Sequence, residues 1–157
     1  MNIFVLHKNK KINAQYYIDK HVVKMILEYT QLLSSAFYFT NYVPEGIYKL
    51  YGKNHPSSKW VRESLDNWLW LKDMTDILIK EYEYRFNKTH KSKSVLKNMP
   101  VPDLPKKGLT KFVQVMPEEY MQENVYKAYQ TYYLKDKKHL FSWKNRSTPS
   151  FASVNKC

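Results

Sequence analysis

The chain has 157 residues, 43% hydrophobic and 16% aromatic, and its 26 Lys+Arg against 14 Asp+Glu leave a formal net charge of +12. That length suits one domain with a core large enough to need no disulfide or metal staple, and the aromatic content excludes disorder. A single cysteine (Cys157) forms no internal bridge, no apolar run nears the roughly 20 residues of a membrane span, and the start lacks a signal-peptide layout, so an intracellular protein is expected.

Residues 2–6, apolar from Ile3 on, are too short for a helix, so they read as a buried N-terminal strand or extended arm. A first helix is expected from Ile12 to Phe39, because Ile18, Val22, Met25, Tyr29, Leu32 and Ala36 recur at three- and four-residue steps. Pro44-Glu-Gly closes it, with a short helical turn through Ile47–Tyr51 ended by Gly52. A second long helix starts at Pro56-Ser-Ser and runs to Arg85, with a hinge near Asp66-Asn67. A short helix is expected at Ser92–Asn98, inside a basic, proline-containing connector of residues 87–116 that reads as extended and exposed. A third helix is expected from Pro117-Glu-Glu, where acidic residues suit the positive end of a helix dipole, with an apolar face of Tyr120, Met121, Val125, Ala128, Tyr129 and Tyr132. The tail from Lys135 is basic, aromatic and irregular. The expected architecture is all-α. It is a single compact domain over residues 1–157, with three main helices, short helical segments, an extended arm and an irregular tail.

The positive excess favours polyanionic partners, and interleaved aromatics point to nucleic acid. A basic surface kept for solubility, or a membrane-surface patch, is the alternative. Tyr17, His21, Lys24, Glu28 and Gln31 follow a four-three-four-three spacing that lays one polar stripe beside the apolar face of the first helix. Such a stripe at a core edge could share a proton network, or it could be a solvated face with an ordinary Lys24–Glu28 pair. His55, ahead of the second helix, could join Lys53 in holding a phosphate at the helix start, or simply cap it. Trp143, Phe151, Lys144 and Arg146 alternate in the tail as base-stacking and phosphate-holding groups would, although packing onto the core explains them equally. Lys88, Lys91, Lys93 and Lys97 with His90 could track phosphates or form a solvated loop. The five histidines are scattered without metal-ligand spacing, and the three glycines leave no place for a phosphate loop, so neither a metal nor a cofactor is expected. Cys157, at the very end, is a poor nucleophile candidate.

Asp19-x-His21 followed by Glu28 on a helix close to the chain start resembles the small pyrimidine-dimer DNA glycosylases of the phage endonuclease V type. Asn54-His55-Pro-Ser ahead of Trp60, and the aromatic segment around Trp143, are similar to the family's second helix and C-terminal segment. The run from Asp19 to Glu28 also resembles the opening of proteins from phages and large DNA viruses, which implies a virus-encoded protein working in host cytoplasm. The resemblance implies a cofactor-free N-glycosylase, with AP-lyase activity, acting as a monomer on damaged or modified pyrimidines in double-stranded DNA. It implies an N-terminal amine as nucleophile (Met1 or Asn2), Glu28 as acid/base and His21 as its partner. Lys20, Lys24, Gln31, Lys53, His55, Arg62, Trp143, Lys144 and Arg146 are the implied DNA contacts. Two features depart from the family. Its nucleophile is a threonine exposed by loss of the initiator methionine, where this chain has Asn2. Its arginines beside the glutamate fall here on Leu27 and Gln31. A non-catalytic nucleic-acid-binding protein on the same scaffold, or a hydrolase of nucleotides or nucleic acid using His21, Glu28 and His55, are the competing readings.

Overall fold

The computed structural model describes residues 1–153, so Cys157 lies outside the described residues. Among the described residues there are six α-helices and no strand. They are α1 (Lys10–Tyr16), α2 (Asp19–Ala36), α3 (Pro56–Glu63), α4 (Leu65–Phe86), α5 (Ser92–Lys97) and α6 (Val125–Asp136). Helices α2 and α4 pack along each other and carry the centre of the core, with α1 and α3 against α4. The arm is extended and buried: Ile3, Phe4, Val5 and Leu6 are all within the core. None of the helices is long and apolar enough to cross a membrane.

The expected first helix is two. Tyr17 (φ −62°, ψ 131°) and Ile18 (φ −62°, ψ 153°) are extended and separate α1 from α2. The break exposes the last carbonyls of α1, which would be costly to bury unpaired. Arg85, fully buried on α4, answers them. Its Nη1 donates to the Tyr17 carbonyl at 2.7 Å, and its Nη2 to the Ala14 and Gln15 carbonyls at 3.2 and 3.0 Å. The same guanidinium pairs with Asp19 at 3.0 Å and Glu81 at 2.7 Å. Its positive charge sits at the negative end of α1, where that dipole favours it, and at the start of α2 the Asp19 carboxylate answers it. Tyr17 thereby leaves the polar stripe and turns its hydroxyl inward to donate to the Phe4 carbonyl.

The second helix also breaks, at Ser64 (φ −147°, ψ 143°), upstream of the Asp66-Asn67 hinge read from sequence. The connector decides the place. The Ser64 hydroxyl donates to the Gly108 carbonyl, the Leu65 amide to the Pro105 carbonyl, and Asn67 Nδ2 to the Trp60 carbonyl freed by the break. The connector is extended as read but not fully exposed. Met99 and Leu104 are buried, and Phe112 packs on Trp60 and Trp70. The segment read as a helical turn through Ile47–Tyr51 is not helical, and the Ser34 and Ser35 side chains hold it at the Tyr48 and Tyr51 amides.

The third helix begins later than Pro117. Glu118–Tyr120 form a single 3-10 turn, and Asn124 caps α6 by accepting from the Lys127 amide. Gln114 of the connector exchanges hydrogen bonds with both backbone groups of Gln122, which keeps that stretch out of the helix. Met121, read as core, is therefore exposed. The tail is irregular with two 3-10 turns, Lys138–Leu140 and Ser150–Ala152.

Arg85→Met should destabilise the fold by about 3 kcal/mol or more, because it strands buried carbonyls and carboxylates. Arg85→Lys should recover only part, since an ammonium cannot fork to so many acceptors. A urea midpoint unchanged in Arg85→Met would refute this account of the α1–α2 break.

Candidate active site

Helix α2 places His21, Lys24 and Glu28 along one face, as their spacing requires. The extended arm runs back along that face and brings the chain start to Glu28. The Met1 α-ammonium lies 3.3 Å from Glu28 Oε1, and Lys24 Nζ lies 3.7 Å from Oε2. Glu28 is 8% exposed, and its Oε2 has no hydrogen-bond partner among the described residues. A buried carboxylate oxygen without a donor is uncommon and costly, so an incoming polar group would find an acceptor ready. A cavity of about 160 Å³ opens here, lined by Met1, Asn2, Phe4, His21, Lys24, Met25, Glu28, Val115, Tyr132 and Lys137. The arrangement joins an amine, a buried carboxylate and a rim of ammonium groups that suits an anion.

His21 forms the back wall. Its ring stacks on Phe4 at 4.3 Å between centroids, and Nδ1 bonds the Tyr133 hydroxyl at 2.7 Å. Burial, helped by the ammonium groups of Lys137, Lys24 and Lys20, pushes its pKa down to about 3. The ring is therefore neutral at pH 7 and works as a packed, hydrogen-bonding wall beside Glu28. His55 caps α3, its Nδ1 accepting from the Ser57 amide at 3.0 Å, and its pKa is lowered by burial and then by the chain-terminal ammonium. Among the described residues, no group of three or more His, Cys, Asp or Glu side chains could hold a metal ion.

The other residues read from sequence separate into two groups. Lys20, exposed, and Gln31, half-buried, share α2 with Glu28. Lys53 is exposed beside His55, and Arg62 donates to the Lys53 carbonyl while stacking on Phe39 at 3.8 Å. Asn2 is buried and lines the cavity. Trp143, Lys144 and Arg146 lie elsewhere. Trp143 donates to the Tyr16 carbonyl, the Lys144 amide donates to Asp19, and Arg146 pairs with Glu81 at 2.9 Å. These contacts fasten the tail over the α1–α2 junction. Asp19 shares in that fastening by accepting from the Ser142 hydroxyl. Sequence reasoning missed Phe4, Val115, Tyr132, Tyr133 and Lys137. Phe4 carried a signal as part of the buried arm, and Tyr132 as part of the apolar face of the third helix.

A model of the family described as pyrimidine dimer DNA glycosylase matches residues 1–94. The chain belongs to that family. The matched part carries the arm, α1 to α4, and each of Met1, Asn2, His21, Lys24, Glu28 and His55. The family's description makes it one of DNA-repair glycosylases, so DNA is its substrate class. Neither a curated protein nor a solved structure matches the chain.

The depressed His21 pKa has a thermodynamic consequence. The unfolded chain binds a proton near pH 6.5 and the folded one only near pH 3, so the fold loses stability as pH falls through that window. His55 and His90, also lowered, act in the same direction. The melting temperature should fall from pH 7 to pH 5, and His21→Gln should flatten that slope. An equal slope in the variant would show that His21 is not held neutral.

Proposed function

We propose that this chain is a monomeric N-glycosylase with AP-lyase activity, acting inside the cell on damaged or modified pyrimidines in double-stranded DNA. The observation that carries the reading is the chain-terminal amine 3.3 Å from Glu28 Oε1 at the edge of a cation-rimmed cavity. Family membership supports the glycosylase class, and the geometry supports an amine mechanism within it.

The steps follow from the groups present. Glu28 takes a proton from the ammonium, which leaves a lone pair on nitrogen. That pair attacks C1′ of the sugar; the N–C1′ bond forms and the glycosidic bond breaks, the base leaving with the bonding electrons and taking the proton held by Glu28, which restores the carboxylate. The nitrogen then passes one proton to O4′ as C1′–O4′ breaks, which opens the sugar ring and gives a protonated imine. Glu28 then removes a C2′ proton, and the electrons expel the 3′ phosphate, which nicks the strand. Hydrolysis of the imine returns the amine. The cavity is small, so a nucleotide must leave the stack to reach it, and bending of the duplex would assist. Lys20, Lys24, Lys53, His55 and Arg62 are the proposed phosphate contacts from the matched part of the chain, with Lys137 added by the fold. Neutral His21 keeps one wall of the cavity uncharged.

Glu28→Gln should lower nicking of duplex oligonucleotides bearing a cyclobutane pyrimidine dimer or an abasic site by about 100-fold or more. Its DNA affinity should stay within about twofold, with the same steep salt dependence. Wild-type nicking in this variant would remove Glu28 from the mechanism. Tight binding without nicking or borohydride-trapped adduct in the unmodified protein would instead favour a non-catalytic binder.

A further inference from the structure

Chain termini are poorly ordered unless something ties them down. Here both of the first two residues are tied. The Asn2 side chain is buried and used at both ends: Nδ2 donates to the Val115 carbonyl at 2.7 Å, and Oδ1 accepts from the Tyr129 hydroxyl at 2.8 Å. Tyr129 is itself fixed, its hydroxyl accepting from the Val115 amide at 3.2 Å. The Met1 side chain is only 5% exposed. It rests on Gly52, where a Cβ would stand 2.8 Å from Met1 Cε and 3.0 Å from Sδ. The Ser58 hydroxyl reaches Sδ at 4.0 Å. Gly52 has φ +62°, so glycine also suits its backbone.

We propose that Asn2 and Gly52 are positioning residues that hold the amine of Met1, rather than that of Asn2, against Glu28. The inference rests on the amine reading above and names which amine it uses. An enzyme that shed Met1 would move its amine by one residue, about 3.8 Å along the chain. It would also empty the socket against Gly52. Asn2 cannot make up that distance, because its side chain is anchored to the connector and to α6. A residue as large as asparagine at the second position also disfavours removal of the initiator methionine.

The experiment is borohydride trapping on duplex DNA carrying an abasic site, with the intact mass of each protein measured first and each adduct mapped by peptide mass. The unmodified protein should retain Met1 and form its adduct there. Asn2→Thr, which admits methionine removal, should lose Met1 and trap at least tenfold more slowly. Asn2→Leu should keep Met1 but lose both anchoring hydrogen bonds, and trap several-fold more slowly with the adduct still on Met1. Gly52→Ala should also slow trapping several-fold. Gly46→Ala is the control: Gly46 has φ +81°, so the backbone strain is comparable, yet a Cβ there meets nothing within 4 Å. It should trap at the unmodified rate. An adduct on Asn2 in a protein that has shed Met1 overturns the inference and leaves the amine mechanism standing. Unmodified rates in both Asn2→Leu and Gly52→Ala overturn it as well. Absence of any adduct, or an adduct on a lysine, overturns the terminal-amine reading and this inference together.

Discussion

A buried extended segment must find partners for its backbone outside helix or sheet, and the rest of this structure is arranged around that requirement. The arm of residues 2–6 lies in the core without a strand to pair with. Side chains supply what a sheet would have supplied. Tyr29 accepts from the Phe4 amide, Tyr17 and Asn13 donate to the Phe4 carbonyl, Asn13 accepts from the Leu6 and His7 amides, and Gln130 donates to the Leu6 carbonyl. These partners come from α1, α2, α6 and the junction between α1 and α2. Each must be in place for the arm to be in place, and the arm alone carries the chain start to Glu28. The catalytic geometry proposed here is thus a consequence of core hydrogen bonding.

Arg85 serves the same end one layer further out. Tyr17 can reach the arm only because the helix breaks beside it, and the break is tolerable only because a guanidinium satisfies the carbonyls it exposes. Glu81 and Asp19 balance that buried charge, and Arg146 of the tail adds a second cation to Glu81. Burial raises the Glu81 pKa, but hydrogen bonds from Arg146 and Arg85 more than reverse this, so the net shift is downward and the carboxylate stays charged. Charge is then divided by location. Buried cations are paired and structural, while those around the cavity look toward solvent, where a polyanion can reach them.

Much was legible in the sequence. The all-α class, the buried arm, the short helix at Ser92 and the irregular tail all follow from periodicity, proline placement and composition. The grouping of His21, Lys24 and Glu28 follows from helical spacing, since residues three, four and seven apart share a face wherever the helix goes. Helix ends were less legible. The breaks at Tyr17 and Ser64, and the late start of α6 at Val125, occur without glycine or proline at the break. They are fixed by distant groups: Arg85, the Gly108 carbonyl and Gln114.

The sequence by itself therefore determined the helical class, the face on which the polar residues gather and the positive field that suits DNA, because these depend on local spacing and on summed charge. Tertiary structure alone decided that Met1 meets Glu28, that burial, with Lys137, Lys24 and Lys20 nearby, holds His21 neutral, and that the aromatic tail packs on the core at the α1–α2 junction. Those contacts join residues far apart in the chain. Whether a Trp143 or an Arg146 faces a ligand or a neighbouring helix depends on which buried carbonyl or carboxylate lies within its reach, and periodicity carries no record of that.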